Sequence, residues 1–533
     1  MRPLVVLLLL ALLAACGPPA DAPGARPVST LRFDVTADPA TLDPLFARSD
    51  AANVDQQLAH LAFEPFFDLD ARGNPVPELL SIVPSVRNGG VSPDGRTIVY
   101  HLRRGVRWSD GVPVSSRDVL FTLHAILDPA NPVPSREGYE LIDRAEALGA
   151  YAVRFHLKRA WAPAVATFFT YGTAPQYVLP AHVLEQQKPL VRAQFSAAPN
   201  VGDGPYLFER WNRGDRLVYR ANPRYWRGRP KIDALDIEIV PDPNSNLTLL
   251  RSGAIDFNLV APVQIPVLKD NKNIGFVHVP TAIVAGLALN TKHPPLDDVR
   301  VRRAFAAALD RGGISRKITY GNYPVADSDR PRFSWAFDPR VKEPGYDPAL
   351  ADRLFDAAGW RRGPGGRRQK NGMPLELNYV QFVETTTGLR VAAFAERQLH
   401  ERGVSTPVRQ ITQAQFFLPK TGVLASGNFD LAYVPWTMGA DPDDFFLLGC
   451  EATANYMRYC NRDVERLERK AVAEPHESER RDAYLAIDRI VARDVPIVYL
   501  FNAGYVYAYN TRLHGFAPNA FSPTWNAYNW SLE

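Results

Sequence analysis

Residues 92–119 read SPDGRTIVYHLRRGVRWSDGVPVSSRDV, and this stretch carries the most distinctive pattern in the chain. Its segment Thr97–Leu102 has the β-branched and aromatic side chains that predict a strand. Further strands are predicted at 31–35, 152–157, 235–240 and 407–411. Start and stop signals predict helices at 298–310 (ending before Gly312-Gly313), 347–359, 389–402 and 478–496. Because helices and strands intermingle without one repeated βα unit, we expect an α/β protein whose lobes contain mixed sheets.

The first sixteen residues indicate a secretory signal. Arg2 provides a positive charge, Leu4–Leu13 form a short apolar run, and Leu13-Ala14-Ala15-Cys16 closes the segment. The run is far below the ~20 residues that span a bilayer, so we expect cleavage rather than a membrane helix. Small residues directly before a cysteine resemble the lipobox of bacterial lipoproteins, which implies a lipid on Cys16; the alternative is an ordinary signal peptide with an incidental cysteine. Residues 17–28 are rich in Pro, Gly and Ala and predict a flexible tether.

The bulk composition bounds the size and the partners of the protein. A chain of 533 residues is too long for a single core and predicts two or three lobes. With 61 basic and 57 acidic residues the net charge is only +4, and no basic block suggests a nucleic-acid partner. Beside Cys16, the pair Cys450 and Cys460 predicts a disulfide in an oxidising compartment, worth about 3 kcal/mol in the chain-entropy model. Two buried free thiols are the alternative.

Motifs of catalysis are missing from the sequence. There is no Walker-type loop with Lys and Ser/Thr, no G-x-S-x-G elbow and no H-E-x-x-H pair. The ten histidines are scattered without zinc or haem spacing. The acidic cluster Asp441-Pro442-Asp443-Asp444 lacks the rest of a calcium loop and is better interpreted as a capped helix start. We therefore expect no catalytic residue, no metal and no cofactor, and a protein that is not an enzyme.

Several blocks of sequence, in a fixed order, carry a resemblance to one family. The blocks are Thr41–Pro44, Phe63–Phe67, Ser92–Val119, Gly204–Tyr206, Asn222–Trp226, Gly253–Asp256, Leu289–Thr291 and Val299–Asp310. Each alone is weak, but together they extend over most of the chain. The chain resembles the dipeptide- and oligopeptide-binding proteins of ABC importers, the family-5 solute-binding proteins.

The resemblance implies a two-lobed periplasmic-binding-protein fold, type II-like of cluster C, with mixed sheets and an extra inserted domain. Lobe I would comprise 29–61, 200–284 and 497–533, the inserted domain II 62–199, and lobe III 285–496. Ligand would bind between the lobes, and a hinge would close over it. Closure of this kind lets a ligand select the closed state by its differential affinity.

The implied function is an extracytoplasmic lipoprotein that captures peptides and delivers them to an ABC transporter permease with its ATPase subunits. It would act as a monomer in the periplasm or at the cell surface, anchored to a bacterial membrane by its N-terminal lipid. Two alternatives remain open. The same receptor could take a metal chelate, an opine or an oligosaccharide, or the protein could be an uncoupled periplasmic sensor or chaperone.

Family position implies the ligand-binding residues. Two segments would line the pocket: Arg48, Ser49 and Asp50, and then Pro435, Trp436, Thr437 and Met438. Trp436 matches a family tryptophan that walls the pocket, and its flat ring would give apolar area at little entropic cost. Plain core packing is the alternative for Trp436, and a solvated loop is the alternative for Arg48 and Asp50.

One departure from the family pattern concerns the ligand's amine. Peptide-binding relatives have an aspartate about three residues after the tryptophan, whereas this chain has Met438 and Gly439 there. A buried ammonium without a partner is costly. Either Asp441 or Asp50 therefore takes over the ammonium, or the ligand lacks a free amine. The family's dipeptide binders also have a disulfide similar to Cys450–Cys460, and the nearby Tyr456 would approach the pocket or support the disulfide loop.

Overall fold

Twenty strands and sixteen helices alternate irregularly in the part of the chain that the computed structural model describes, residues 28–47, 54–170 and 175–533. The strands are β1 (Thr30–Val35), β2 (Phe67–Leu69), β3 (Pro75–Pro77), β4 (Thr97–His101), β5 (Ile142–Ala147), β6 (Ala152–Leu157), β7 (Tyr206–Asn212), β8 (Arg216–Ala221), β9 (Ala234–Ile239), β10 (Phe257–Val260), β11 (Ile274–Leu289), β12 (Arg361–Arg362), β13 (Arg368–Lys370), β14 (Met373–Pro374), β15 (Tyr379–Phe382), β16 (Val408–Ile411), β17 (Leu431–Thr437), β18 (Ile497–Asn510), β19 (Leu513–His514) and β20 (Ser531–Leu532). The helices are α1 (Val54–Ala62), α2 (Ser116–Leu127), α3 (Ala164–Thr167), α4 (Ala181–Leu184), α5 (Gln194–Ala197), α6 (Pro243–Ser252), α7 (Ile265–Leu268), α8 (Val299–Ala308), α9 (Arg311–Ile318), α10 (Pro348–Ala357), α11 (Thr386–Glu401), α12 (Gln413–Phe417), α13 (Val423–Ser426), α14 (Phe445–Leu448), α15 (Arg462–Ala473) and α16 (Glu477–Asp494).

One ten-stranded mixed sheet joins both halves of the structure, in the order β16-β15-β17-β11-β18-β10-β1-β9-β8-β7. The long strands β11 and β18 pair antiparallel at its centre, from Ile274 opposite Asn510 to Ala288 opposite Ile497. On one side β1 runs parallel to β9 and β10, and on the other β15 runs parallel to β16 and β17. The prediction of mixed sheets is therefore confirmed.

The central pair changes partners along its length. The second half of β11 pairs with β17, whereas the distal half of β18 pairs with β10. Between these regions the register shifts from Pro280 to Val284, and the Thr281 hydroxyl donates to the Ala503 carbonyl at 2.9 Å. A bulge of this kind increases local twist and bends a strand. Both halves of the sheet thus meet at one irregular point.

A separate three-stranded antiparallel sheet, β4-β6-β5, contains the first part of the stretch 92–119. The helix α2 comes after β4 and is capped by Ser115, whose backbone N–H donates to the Asp118 carboxylate at 2.8 Å. The block Gly204–Tyr206 meets the end of α1, where a Cβ on Gly204 would lie 2.6 Å from the Ala62 carbonyl carbon. Only glycine permits this approach, which explains why the block needs it.

Most predicted elements occur within a few residues of their expected bounds, but one predicted stop signal is wrong. Gly312-Gly313 was expected to terminate the helix after Asp310, and instead both glycines lie inside α9. The Asp310 carboxylate accepts from the Gly313 N–H at 2.7 Å and so caps a new helix. A cap at this position outweighs the modest helical penalty of two glycines.

Some expectations fall outside the described residues. These are the lipid attachment at Cys16, nearly all of the tether, and Arg48, Ser49 and Asp50. The boundaries of lobe I, domain II and lobe III stay predictions. No helix in the described ranges has both the length and the apolarity to cross a bilayer.

A buried ionic cluster fixes the segment that follows β17. The Arg330 side chain is fully buried, and its guanidinium lies 2.6 Å from the Asp444 carboxylate and 3.3 Å from that of Asp488 on α16. It also donates to the Pro442 carbonyl. Burial raises the pKa of Asp444 well above its ordinary value and that of the neighbouring Glu468 to about 8. One cation thus stabilises several acids that water does not reach.

We expect Arg330→Met to lower the free energy of unfolding by roughly 3–5 kcal/mol, because it leaves the buried acids without a cation. Arg340→Met is the matched control, since that arginine is 79% exposed and pairs only with Asp338 among the described residues. The control should cost less than about 1 kcal/mol. Urea unfolding of both variants at pH 7.5 is the measurement, and equal losses would contradict a special role for Arg330.

Candidate functional site

A cavity of about 730 Å³ lies between two parts of the chain that are far apart in sequence. One wall comes from 137–141 and 159–170, around β5, β6 and α3. The other comes from 437–446, which continues β17, together with Thr453 and two residues of α15. Concave sites of this size are typical of small-molecule binding.

The first wall, which we call the insert wall, depends on a tight turn. Gly138 adopts φ +82°, and a Cβ there would lie 2.2 Å from the Trp161 ring. Only glycine therefore lets the tryptophan lie across the turn. The Tyr139 hydroxyl accepts from the Phe169 N–H at 2.8 Å, which ties the turn to the end of α3. This packing places Glu137 at the cavity.

The second wall, which we call the strand wall, extends from the end of β17. Met438 donates its N–H to the Ala282 carbonyl at 2.8 Å, inside the bulge of β11. Beyond it, Gly439 and Ala440 line the cavity. Within the described residues, the N–H groups of Gly439 and Ala440 have no hydrogen-bond acceptor. Two main-chain donors are thus available to a ligand.

The two walls also touch each other directly. The Ala162 N–H donates to the Val472 carbonyl at 2.7 Å, from the insert wall to the end of α15. This bond joins the walls on one side of the cavity. The two walls are therefore close enough to contact the same ligand.

Charges in the lining are unequal in number and in environment. The acidic residues are Glu137, Glu140, Asp441 and Asp443, and the basic residues are Arg159 and Arg469. Asp441 receives two bonds from the nearly buried Arg480, at 2.5 and 2.8 Å. Arg469 is held by Glu465 at 2.8 Å. These two pairs are already satisfied within the protein.

Asp443 differs from its neighbour Asp441. Its Oδ1 accepts from the Phe445 N–H at 3.0 Å, and no cation in the described chain pairs with its carboxylate. Burial raises the pKa of Asp443 to about 6; the charges of Asp441 and Glu137 add to the rise, and the charge of Arg480 opposes it. A cavity-lining carboxylate whose ionisation is disfavoured by burial is a functional-site candidate.

The predicted site residues divide into three groups. Thr437 and Asp441 line the cavity. Pro435, Trp436, Met438 and Tyr456 lie outside its lining, and Arg48, Ser49 and Asp50 fall outside the described residues. The Trp436 ring is 4% exposed and packs in the core, about 3.5 Å from where a Cβ on Gly286 would be. A ligand role for each of these predicted residues stays a prediction.

The loop between the two cysteines supports the strand wall. Cys450 and Cys460 are joined in the structure, with their Cα atoms 4.5 Å apart. Inside the loop, the Asn455 amide donates to the carbonyls of Gly449 and Tyr459 at 2.8 and 2.7 Å. Thr453 of this loop reaches the cavity, whereas Tyr456 packs partly buried against the core. The loop is therefore fixed by a covalent bond and a buried amide.

Potential metal ligands come together at one exposed place in the described chain besides the bonded cysteines. Glu474 and His476 lie between α15 and α16, and Glu479 lies in the first turn of α16; the His476 Nδ1 is already 2.7 Å from the Glu474 carboxylate. Such exposed groups are common without an ion. The absence of a metal stays a prediction.

Sequence reasoning missed the insert wall altogether. Glu137, Gly138 and Trp161 follow no motif, and they reach the strand wall only through long-range packing. Asp443 was noticed as part of the acidic cluster, but its contrast with Asp441 depends on Arg480, 39 positions further along. The sequence therefore indicated the acidic cluster, but it could not show which of its aspartates is paired with an arginine.

Comparisons with known proteins agree on one family. The profile described as Bacterial extracellular solute-binding proteins, family 5 Middle, matches residues 75–457. The chain is 28% identical over 452 residues to the di/tripeptide-binding protein 2 of Pseudomonas aeruginosa (strain UCBPP-PA14), covering 79% of this chain and 81% of that protein.

Solved structures show the same fold. The oligopeptide-binding protein AppA from Bacillus subtilis, solved with a nonapeptide, superposes with a TM-score of 0.74 at 21% identity, covering 95% of this chain and all of that one. NikA from Brucella suis, solved with Fe(III)-EDTA, superposes with a TM-score of 0.81 at 20% identity and the same coverage. The predicted two-lobed periplasmic-binding-protein fold is confirmed.

We expect Asp443→Asn to stabilise the ligand-free protein at pH 7.5 by up to roughly 3 kcal/mol and to have little effect at pH 4. The folded pKa of Asp443 is raised to about 6 from 3.8, so ionisation costs the native state more than the unfolded chain. The contribution of Asp443 to the free energy of unfolding therefore falls as the pH rises from 3.8 to about 6. Asparagine keeps the acceptor for the Phe445 N–H.

Asp441→Asn is the comparison with the opposite sign, because it leaves the nearly buried Arg480 without its carboxylate. It should destabilise the protein at pH 7.5. Urea unfolding of both variants at the two pH values measures the difference. A lower free energy of unfolding for Asp443→Asn than for the unaltered protein at pH 7.5 would contradict the conclusion that ionised Asp443 destabilises the native state.

Proposed function

This chain belongs to the bacterial extracellular solute-binding proteins of family 5, and from that premise we propose that it captures short peptides for an ABC importer. The ligand would bind in the cavity between the insert wall and the strand wall. The protein would then deliver it to a permease with its ATPase subunits. In this proposal the chain acts by binding and carries no catalytic residue.

The unpaired main-chain donors of the strand wall carry the proposal. Gly439 and Ala440 line the cavity, and their N–H groups have no acceptor in the described chain. A peptide satisfies such donors with its own carbonyls, as an added strand does. Main-chain recognition leaves the ligand's side chains loosely specified. Thr437, at the exposed end of β17, offers a hydroxyl next to these donors.

The size of the cavity supports a ligand of a few residues. Its volume of about 730 Å³ lies within the range of about 300–1,000 Å³ that small-ligand pockets occupy. The similar di/tripeptide-binding protein of Pseudomonas aeruginosa is named for ligands of this length. The size therefore favours short peptides over long ones.

Metal chelates are the second ligand class, since NikA with bound Fe(III)-EDTA has the same fold. The lining of this cavity contains four acidic residues and two basic ones. An excess of acid disfavours an anionic chelate and favours a ligand with a positive group. The charge of the cavity thus supports the peptide over the chelate.

The proposed location follows from the N-terminal segment. Cys16 would receive the lipid, residues 17–28 would act as tether, and the binding unit would stand outside the cytoplasm at the membrane surface as a monomer. A single acyl chain binds only reversibly, whereas two chains anchor stably. A tethered receptor stays near its permease after it releases the ligand.

A thermal-shift screen of the chain without its first 16 residues tests the ligand class. Binding stabilises the folded state by RT ln(1+[L]/Kd), about 2.7 kcal/mol at 100 times Kd. We expect di- to pentapeptides to raise the melting temperature and Fe(III)-EDTA to leave it unchanged. Shifts with chelates but not with peptides would reject peptide capture.

Cavity-filling variants make this screen specific. Ala166→Trp puts a large ring into the insert wall and should abolish the peptide-induced shift. Ala349→Trp, at an exposed position of α10 outside the lining, is the matched control and should retain it. Retention of the shift by both variants would show that the peptide binds elsewhere.

Labelling with palmitate tests the anchor. The full-length protein expressed in a bacterial host should incorporate the label and sediment with membranes. Cys16→Ala should do neither, because the thiol is the proposed attachment point. Incorporation that is unchanged in Cys16→Ala, or absent from the unaltered chain, would refute the lipid anchor.

A further inference from the structure

We propose that Phe333 is a positioning residue that sets the distance between the insert wall and the strand wall. Its side chain lies outside the cavity lining, so it acts on ligand affinity without touching the ligand. The inference rests on the proposed function as far as peptide affinity is concerned. The distance between the walls, however, can be measured on the ligand-free protein.

The Phe333 side chain lies against a surface that we call the receptacle, made of turn 70–74 and Phe521. A Cβ on Gly73 would be 2.9 Å from the Phe333 Cβ, so the two segments touch at this turn. The Phe333 and Phe521 rings meet edge to face, with 6.0 Å between their centroids. By the predicted boundaries Phe333 belongs to lobe III, yet it packs on the hydrophobic core that lobe I and domain II share. The contact therefore crosses between the lobes.

Hydrogen bonds fix both parts of the receptacle. The Asp70 carboxylate accepts from the N–H groups of Arg72 and Asn74 at 2.8 and 2.9 Å, which closes the turn. The C-terminal tail is tied to the strand before this turn, because the Asn519 side-chain amide donates to the Leu69 carbonyl at 2.7 Å. The receptacle is thus a defined surface, and Phe333 is the side chain that reaches it from the other lobe.

The receptacle is connected to the insert wall through Phe66, the residue directly before β2. The Phe66 N–H donates to the Phe169 carbonyl at 2.6 Å, and the two ring centroids are 4.9 Å apart. Phe169 in turn donates its N–H to the Tyr139 hydroxyl at 2.8 Å, next to the turn that shapes the insert wall. A displacement of the receptacle consequently displaces the insert wall.

The segment that carries Phe333 is connected to the strand wall through Arg330, three residues earlier. The Arg330 guanidinium pairs with Asp444 at 2.6 Å and donates to the Pro442 carbonyl. These two contacts flank Asp443, which lines the cavity. Because Arg330 is fully buried, this attachment is firm. Phe333 is therefore joined to the strand wall by its own segment and to the insert wall by the receptacle.

These two routes meet where Phe333 touches the receptacle. The bond from Ala162 to Val472 already joins the walls at one place, but a single place of contact still allows the walls to rotate about it. The Phe333 contact joins them at a second place and so restricts this rotation. A receptor whose binding-competent arrangement is only partly populated has its affinity reduced by that fraction. Loss of the Phe333 ring therefore weakens binding although the cavity lining is unchanged.

Paired spin labels measure the distance between the two sides of the ligand-free protein. The labels are attached at Asp143→Cys on β5 and Ala393→Cys on α11, both exposed, in the chain without its first 16 residues. The native disulfide does not react with the label. We expect Phe333→Ala to broaden the distribution of distances. Phe337→Ala is the control and should not, since Phe337 lies in the same loop and makes no ring contact with the receptacle.

Gly73→Ala tests the same contact from the side of the receptacle. Its methyl would lie 2.9 Å from the Phe333 Cβ and 3.1 Å from the Phe333 carbonyl oxygen, so Phe333 must move. Gly73 has φ +84°, and the substitution therefore also strains the backbone. Gly105→Ala is matched for that strain, because Gly105 has φ +88° and its added methyl meets nothing within 4 Å. We expect Gly73→Ala to broaden the distances and Gly105→Ala to leave them unchanged.

Isothermal titration with Ala-Ala-Ala measures the consequence for binding. We expect Phe333→Ala to bind this peptide about ten-fold more weakly than the unaltered protein, equal to about 1.4 kcal/mol, and Phe337→Ala to bind it with unchanged affinity. At saturating peptide the distances in Phe333→Ala should return to those of the unaltered protein, because the ligand contacts both walls and selects the same arrangement. A variant with a damaged fold would not recover in this way.

Three results would overturn the role of Phe333. They are unchanged distances in either Phe333→Ala or Gly73→Ala, an equal broadening in Phe337→Ala, and unchanged affinity of Phe333→Ala for Ala-Ala-Ala. If the unaltered protein binds no peptide, the proposed function fails, and the spin-label distances of the ligand-free variants still decide whether Phe333 sets the spacing of the walls.

Discussion

The antiparallel pairing of β11 with β18 is the constraint on which the rest of the structure depends. Every strand of the large sheet is joined, directly or through neighbours, to this central pair. Its bulge between Pro280 and Val284 lies where the two sides of the sheet meet. The same bulge holds the strand wall, because the Ala282 carbonyl accepts from the Met438 N–H. The position of one wall of the cavity is thus set by the irregular centre of the sheet.

Local patterns were sufficient for much of this architecture. The strand at 152–157 and the helix capped by Asp347 follow from short-range chemistry, and the pairing of Cys450 with Cys460 followed from their number and compartment. Asp310 shows that short-range patterns can mislead, because its carboxylate caps a helix that contains Gly312-Gly313, where a helix end was expected. A pattern can indicate a stop, but competing local bonds decide the outcome.

The candidate site was less accessible to sequence reasoning, for a physical reason. A tryptophan at the end of a strand is apolar whether it walls a pocket or fills a core, and Trp436 is buried in the core. The insert wall is brought to the strand wall by packing between residues some 300 positions apart. Asp441 and Asp443 look alike in the sequence, and only the folded position of Arg480 separates them. Burial and partners of this kind are properties of tertiary structure.

The contrast between these two aspartates relates stability to function. Asp441 supports the wall, because a buried arginine compensates its charge. Asp443 weakens the ligand-free fold, because burial and neighbouring acids oppose its ionisation. The strand wall keeps its position despite this loss of stability, because the Arg330 cluster holds Asp444, the next residue. A rigid support beside a strained group means that the strain is not relieved by movement of the loop.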